Sequence, residues 1–165
     1  MQKSELLRLM PRDKNDAIGA QAIVELGYPK VEPVLAQMLD WLCTNGSPVD
    51  VVMREFFAAL GAPAMAVVRK ALHSKSEILR ATIVSHVLVR WPRDCIADLK
   101  AELQGMVTEA GFYGADLGAL GLLAQHGLSE RAWLEEWAEF KVNRLRRMLV
   151  EAENVQLLLK RDSGF

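Results

Sequence analysis

A break, a proline and an apolar helix recur along this chain. Leu26-Gly27-Tyr28-Pro29 and Leu60-Gly61-Ala62-Pro63 stand 34 residues apart, and the likeness runs on: Val31 aligns with Met65, Val34 with Val68 and Met38 with Leu72. Pro92, with Ile96, Leu99 and Leu103 behind it, supplies a looser third copy. A single helical hairpin cannot bury its apolar face alone, so neighbouring copies stack. The repeat therefore predicts an all-α chain of stacked HEAT-like helical hairpins, an α-solenoid. An irregular helical bundle is the competing arrangement.

Start and stop signals divide the chain into helices. Asp16 caps a helix through Leu26, with Gly27 as its stop. After Tyr28-Pro29 the spacing predicts a helix over 30–43, with Val31, Val34, Leu35, Met38, Leu39 and Leu42 on its inner face. Asn45-Gly46 ends it. Ser47 is an N-cap, Pro48 fits the first helical position and Asp50 favours the first turn of a helix to Leu60. Further helices are predicted from Pro63 to Leu72, Ser76 to Val89, Arg93 to Glu109 and Asp116 to Gln125. Gly111 to Gly114 reads as a loop. Ser129 opens the longest segment, Glu130 to Lys160, either one helix or two with a bend near Ala152.

Composition excludes several classes. The 165 residues are 51% hydrophobic and 25% charged with a net charge of −1, unlike a disordered tail. The length predicts one domain over 1–165, with HEAT-like repeats over 6–103 and the C-terminal helices of 104–165 packing on them. A balanced charge offers no global attraction to nucleic acid or anionic lipid. Charged residues from Lys3 to Arg8 leave no apolar core for a signal peptide, and no uncharged run approaches a membrane span, so a cytoplasmic protein is expected. Cys43 and Cys95 are too few for a disulfide framework and read as reduced, small hydrophobes.

Groups that carry chemistry are scattered. His73, His86 and His126 have no partner at the spacing of a metal motif, and His86 among Val84, Val87 and Leu88 reads as a packed, hydrogen-bonded histidine. No serine elbow or Cys–His pattern is present. Gly118 and Gly121 do not follow a strand and read as points of close helix approach. No catalytic residue, metal ligand or cofactor site is assigned, and no enzyme activity is expected.

The last helix has a clearer pattern. Trp133, Trp137 and Phe140 share one face, continued by Arg144, Met148, Ala152, Val155 and Leu159. Packing in the core and docking of a partner are the two readings of that stripe. Glu130, Glu135, Glu136 and Glu139 precede Lys141, Arg144, Arg146 and Arg147. Acid-before-base order suits a solvated helix face, and a basic patch for nucleic acid is the alternative. The first 60 residues hold eight Asp/Glu against six Lys/Arg. Asp16 and Asp50 are explained as helix starts, which leaves Asp40 and Glu55 as candidates for meeting a basic partner.

Leu9-Met10-Pro11-Arg12-Asp13-Lys14-Asn15-Asp16 resembles the opening L-x-P-K-D-K-x-D of the bacterial family called domain of unknown function 5071. That family continues with a W-L-Q-D-x-N-W-P-V-like segment. Here Trp41, Leu42, Pro48 and Val49 match it, whereas Thr44, Gly46 and Ser47 depart from it. The resemblance covers about residues 6–103. It implies an all-helical, HEAT-like domain without assigned activity, of the sort that resembles immunity partners of secreted bacterial toxins.

The expectation is a non-enzymatic, protein-binding scaffold: an immunity protein that neutralises a cognate secreted antibacterial toxin, a type VI secretion-like effector. Asp40, Glu55, Trp133, Trp137 and Arg144 are its candidate contacts. A nucleic-acid-binding helical repeat protein using Lys141 to Arg147 is the alternative.

Overall fold

A computed structural model describes residues 2–109, 111 and 113–162. The fold is all-helical, with no strand among the described residues. It divides into two compact units, Met1–Leu128 and Ser129–Phe165.

The first unit opens with α1 (Lys3–Arg8), which buries Leu6. The motif that follows is a capping device. Asp16 accepts the backbone N–H groups of Gly19 and Arg12, each at 2.9 Å, and so starts α2 (Ala17–Leu26). Lys14 lends its carbonyl to the Val49 N–H at 3.3 Å. The N–H of Arg12, then that of Gly19, hold the Asp16 carboxyl below its ordinary value. An acid whose pKa is lower folded than unfolded stabilises the fold fully above the unfolded value, and that contribution fades as pH falls through the folded one. Acid is therefore expected to lower the urea midpoint of the natural chain more than that of an Asp16→Asn variant, whose amide still caps without titrating. Equal losses between neutral pH and about pH 3 would contradict this role.

Gly27 ends α2 with φ +68°, and the Tyr28–Pro29 bond is cis. The single helix predicted over 30–43 is three pieces: a 3-10 turn Glu32–Val34, α3 (Leu35–Leu39) and a second 3-10 turn Asp40–Cys43. Pro33 removes a donor at the start. At the end, the Thr44 hydroxyl donates to the Trp41 carbonyl at 2.7 Å and draws the last turn tight. The inner face survives, because Val31, Val34, Leu35, Met38, Leu39 and Leu42 are all buried.

Ser47 then caps α4 (Pro48–Leu60) through the Asp50 N–H. Gly61, at φ +63°, leads into a 3-10 turn Ala62–Ala64 and α5 (Met65–Leu72). Ser76 caps α6 (Glu77–Thr82). One predicted helix here becomes α6, a π segment Ile83–Val87 and a 3-10 turn Leu88–Arg90. The Ser85 hydroxyl donates to the Ala81 carbonyl at 2.6 Å, and such back-bonding bends helices. After Trp91-Pro92 come α7 (Arg93–Asp98) and α8 (Lys100–Thr108), parted at Leu99. The predicted loop before the next helix includes Phe112, which lies outside the described residues. Gly114 opens α9 (Ala115–Gln125).

Within this unit α2 packs on α4, α4 on the π segment, and α6 with the π segment on α9. In the same unit α3 packs on α5, and α8 packs on α9. Arg69 of α5 reaches Glu102 of α8 at 2.8 Å and the Asp98 carbonyl at 2.7 Å. The caps Asp16, Ser47 and Ser76 recur 31 and 29 residues apart. Pro33, Pro63 and Pro92, each at the start of the following helical stretch, recur at 30 and 29. The period is thus nearer 30 than 34. The structural counterpart of Pro63 is Pro33, the second residue of its 3-10 turn, and not Pro29.

Gly118 is a point of close approach, as its spacing predicts, and Gly121 is not. A β-carbon on Gly118 would stand 2.6 Å from Val84 Cγ1, whereas one on Gly121 would meet nothing within 4 Å. Gly118→Ala is expected to cost about 1–3 kcal/mol of stability through overpacking. Gly121→Ala is expected to gain about 0.5–1 kcal/mol from helix propensity. Paired urea titrations read both, and equal effects would contradict this geometry.

The second unit is α10 (Arg131–Asp162), one unbroken helix of 32 residues. Helix continues through Ala152, so the segment is one helix and not two.

Candidate protein-binding surface

Alanines make room between α3 and α5. Ala36 on one side and Ala66 and Ala71 on the other leave a groove of about 720 Å³. Its floor is apolar: Leu39 and Leu79 are buried, and Val67 and Ala71 are half-buried. Its exposed rim carries Asp40 from the α3 side and Lys70 and His73 from the end of α5. His73 also lines a smaller groove of about 210 Å³, shared with Glu102 and Glu109 of the α8 region. Charge thus alternates across neighbouring grooves, from Asp40 to Lys70 to Glu102.

Asp40 sits on this surface, and Glu55 does not. Glu55 is exposed on α4 and lines a separate groove of about 330 Å³ with Val24, Glu25 and Phe56. It pairs with Arg90 at 2.7 Å. The two acidic candidates therefore belong to different grooves. Lys70 and His73 had no place among the sequence-based candidates. The signal was a basic last turn on an alanine-rich helix, which also reads as plain helix chemistry.

On α10 the aromatic stripe is one face, as its spacing predicts. The Trp133 and Trp137 rings are 6.2 Å apart, and Trp137 meets Phe140 edge-on at 5.5 Å. The Lys141 ammonium lies over the Trp137 ring at 5.7 Å from its centroid. Arg144 is half-buried, while Arg146 and Arg147 are exposed. These basic residues wrap round the helix and do not share one face.

The histidines are spread over separate elements. His86, expected to be packed, is exposed on the π segment. Desolvation, then the nearby Arg54 guanidinium, lower its pKa, while Asp50 opposes them. Its neighbours Val84, Val87 and Leu88 are buried, and the imidazole lies on the opposite, exposed side of the segment beside Ser85. Among the described residues no three His, Cys, Asp or Glu side chains stand together as a metal site would require. Cys43 and Cys95 are free thiols, half-buried and buried respectively. Burial, reinforced by Asp98 and Asp94, pushes the Cys95 thiol up. No single helix among the described residues is long and apolar enough to cross a membrane.

The two motif segments also have physical accounts. Leu42 and Val49 are fully buried, and Asp16 is the cap described above. The departing residues build their own turn: Thr44 and Ser47 share a hydroxyl hydrogen bond at 2.7 Å, and the Gly46 N–H donates to Asp50 at 2.6 Å. No curated protein and no solved structure matches the chain. A family match spans residues 9–112, which takes in both motifs and every groove residue from Asp40 to Glu109, and the chain belongs to the family described as Domain of unknown function (DUF5071).

Proposed function

We propose that the helices of the first unit stack as HEAT-like hairpins, an α-solenoid, and that the chain is a non-enzymatic scaffold that binds a partner protein. The partner in this reading is a cognate secreted antibacterial toxin, a type VI secretion-like effector, neutralised in the cytoplasm. Recurrence of a capped helix and a proline-led helix about every 30 residues supports the stacking. The binding reading is carried by the α3–α5 groove, where an apolar floor lies between rims of opposite charge. Such a site holds an apolar anchor of the partner, while Asp40 and Lys70 select its orientation. Glu55, Trp133, Trp137 and Arg144 are secondary candidates.

Co-expression with the product of the adjacent gene tests the reading. A stable complex and relief of that product's toxicity are expected. Asp40→Lys combined with Lys70→Glu is expected to weaken the complex by about tenfold or more, with an unchanged urea midpoint because both side chains are exposed. Failure to recover any complex would count against the scaffold. Salt-dependent nucleic-acid binding, lost on charge reversal from Lys141 to Arg147, would favour the alternative instead.

A further inference from the structure

Asn45-Gly46 is the only Asn-Gly pair in the sequence. Glycine leaves its backbone nitrogen unhindered, so this pair can cyclise on itself. In that reaction the Gly46 nitrogen loses its proton to solvent base and attacks Asn45 Cγ. The N–Cγ bond forms, the Cγ–Nδ2 bond breaks, and ammonia leaves with a proton from water. Water then opens the cyclic imide at either carbonyl, giving an aspartyl or an isoaspartyl residue. The net change consumes one water and releases one ammonia. Both residues are exposed, so solvent reaches them.

The fold works against the first step. Asn45 and Gly46 take φ of +32° and +77°, both left-handed, as a tight turn requires. A left-handed residue sets its carbonyl oxygen near its own Cβ and turns the next nitrogen away. The turn is also stapled at its ends. The Thr44 hydroxyl donates to the Trp41 carbonyl at 2.7 Å, Ser47 bonds to Thr44 at 2.7 Å, and the Asp50 N–H donates to Ser47 at 3.2 Å. The Gly46 N–H itself donates to Asp50 Oδ2 at 2.6 Å, and Arg54 Nε holds that fully buried carboxylate at 2.8 Å. Reaching Cγ therefore requires the peptide plane between 45 and 46 to rotate out of this bond. Removing the proton in place would set an amide anion against a carboxylate, and like charges repel. We infer that Asn45 is a latent deamidation site, closed while Asp50 holds the Gly46 N–H and open once that clasp is released. The isoaspartyl product would lengthen the backbone of the turn that leads into α4.

Tandem mass mapping of peptide 31–54 during incubation in mildly alkaline buffer reads the reaction as a gain of about 1 Da at Asn45. The folded natural chain is expected to react at least about tenfold more slowly than the same chain in denaturing urea. Asp50→Ala, kept below its urea transition, is expected to react about tenfold faster than the natural chain, and Asp50→Asn at a rate in between. If Asp50→Ala has no urea transition, Asp50→Asn carries the comparison. Phe57→Ala loses stability elsewhere on α4 and keeps the clasp, so it is expected to keep the slow rate. A natural chain that reacts as fast folded as unfolded overturns the inference. So do folded Asp50 variants no faster than the natural chain. Acceleration by Phe57→Ala equal to that of the Asp50 variants also overturns it, because the gate would then be unfolding of the whole unit.

Discussion

Asp50→Ala is expected to destabilise the chain by about 3 kcal/mol, read as a lower urea midpoint. Asp50 is fully buried yet charged in its chemistry, and three donors converge on it. Arg54 contributes Nε at 2.8 Å and a terminal nitrogen at 2.5 Å, and Gly46 contributes its N–H at 2.6 Å. Alanine would strand the mostly buried Arg54 guanidinium, whose desolvation cost then goes unmatched, while the exposed Gly46 N–H loses only a hydrogen bond that water can replace. Breaking a buried ion pair costs about 3–5 kcal/mol in general. Arg54 retains 16% of its side-chain exposure, which lets it find some water and places the effect near the lower bound. Asp50→Asn keeps an acceptor for Gly46 and is expected to cost about half as much. Replacing Asp50 and Arg54 together by apolar residues is expected to recover much of the loss. If Asp50→Ala leaves the midpoint unchanged, the pair is no part of the fold's stability.

Phe57→Ala is expected to be at least as damaging, at about 3–5 kcal/mol. Phe57 is fully buried on α4 and meets Phe56 edge-on with ring centroids 5.3 Å apart. Its carbonyl matters separately. It lies in the last turn of α4, where carbonyls lack intrahelical partners, and the Trp91 indole N–H donates to it at 3.0 Å. Trp91→Phe keeps most of the buried ring and strands that carbonyl, for an expected cost of about 1–3 kcal/mol. The ordering of the two variants, with Phe57→Ala the less stable, separates packing from capping at this join. Equal midpoints for Phe57→Ala and the natural chain would contradict the position of Phe57 in the core.

The parts of the fold legible in the sequence were those with a local chemical cause. Asp16 and Ser47 each cap a helix through their own side chain, and Gly27 and Gly61 each take the positive φ that their stops require. The inner face from Val31 to Leu42 was also legible, because spacings of three and four describe α- and 3-10 turns alike. For the same reason the pattern did not reveal that 3-10 turns flank the α-helical middle of this stretch. The π segment at Ile83–Val87 was hidden because it depends on how the helix settles against α4 and α9. His86 was misread because its sequence neighbours are apolar, whereas Ile83, Val84, Val87 and Leu88 form the inward face and His86 lies across from it. Gly118 and Gly121 look identical in sequence, and only the position of Val84 separates them.

The candidate site was less legible than the fold. Asp40 was found from charge alone, but its setting depends on a neighbour 30 residues away, Lys70, and on alanines whose importance is the space they leave. Small residues give no positive signal in a single sequence. Glu55 followed from the same acidic count and came to lie on another groove. Trp133, Trp137 and Arg144 were legible as a face because helical periodicity alone defines it.

The α3–α5 groove is the centre of the functional reading, and hydrogen exchange tests it most directly. Backbone exchange of the full chain is compared alone and with the adjacent gene's product bound. Slowing concentrated over 36–40 and 66–74, and lost with Asp40→Lys and Lys70→Glu, is the expected result. A complex whose protection leaves both segments unchanged would contradict the groove as the partner's site.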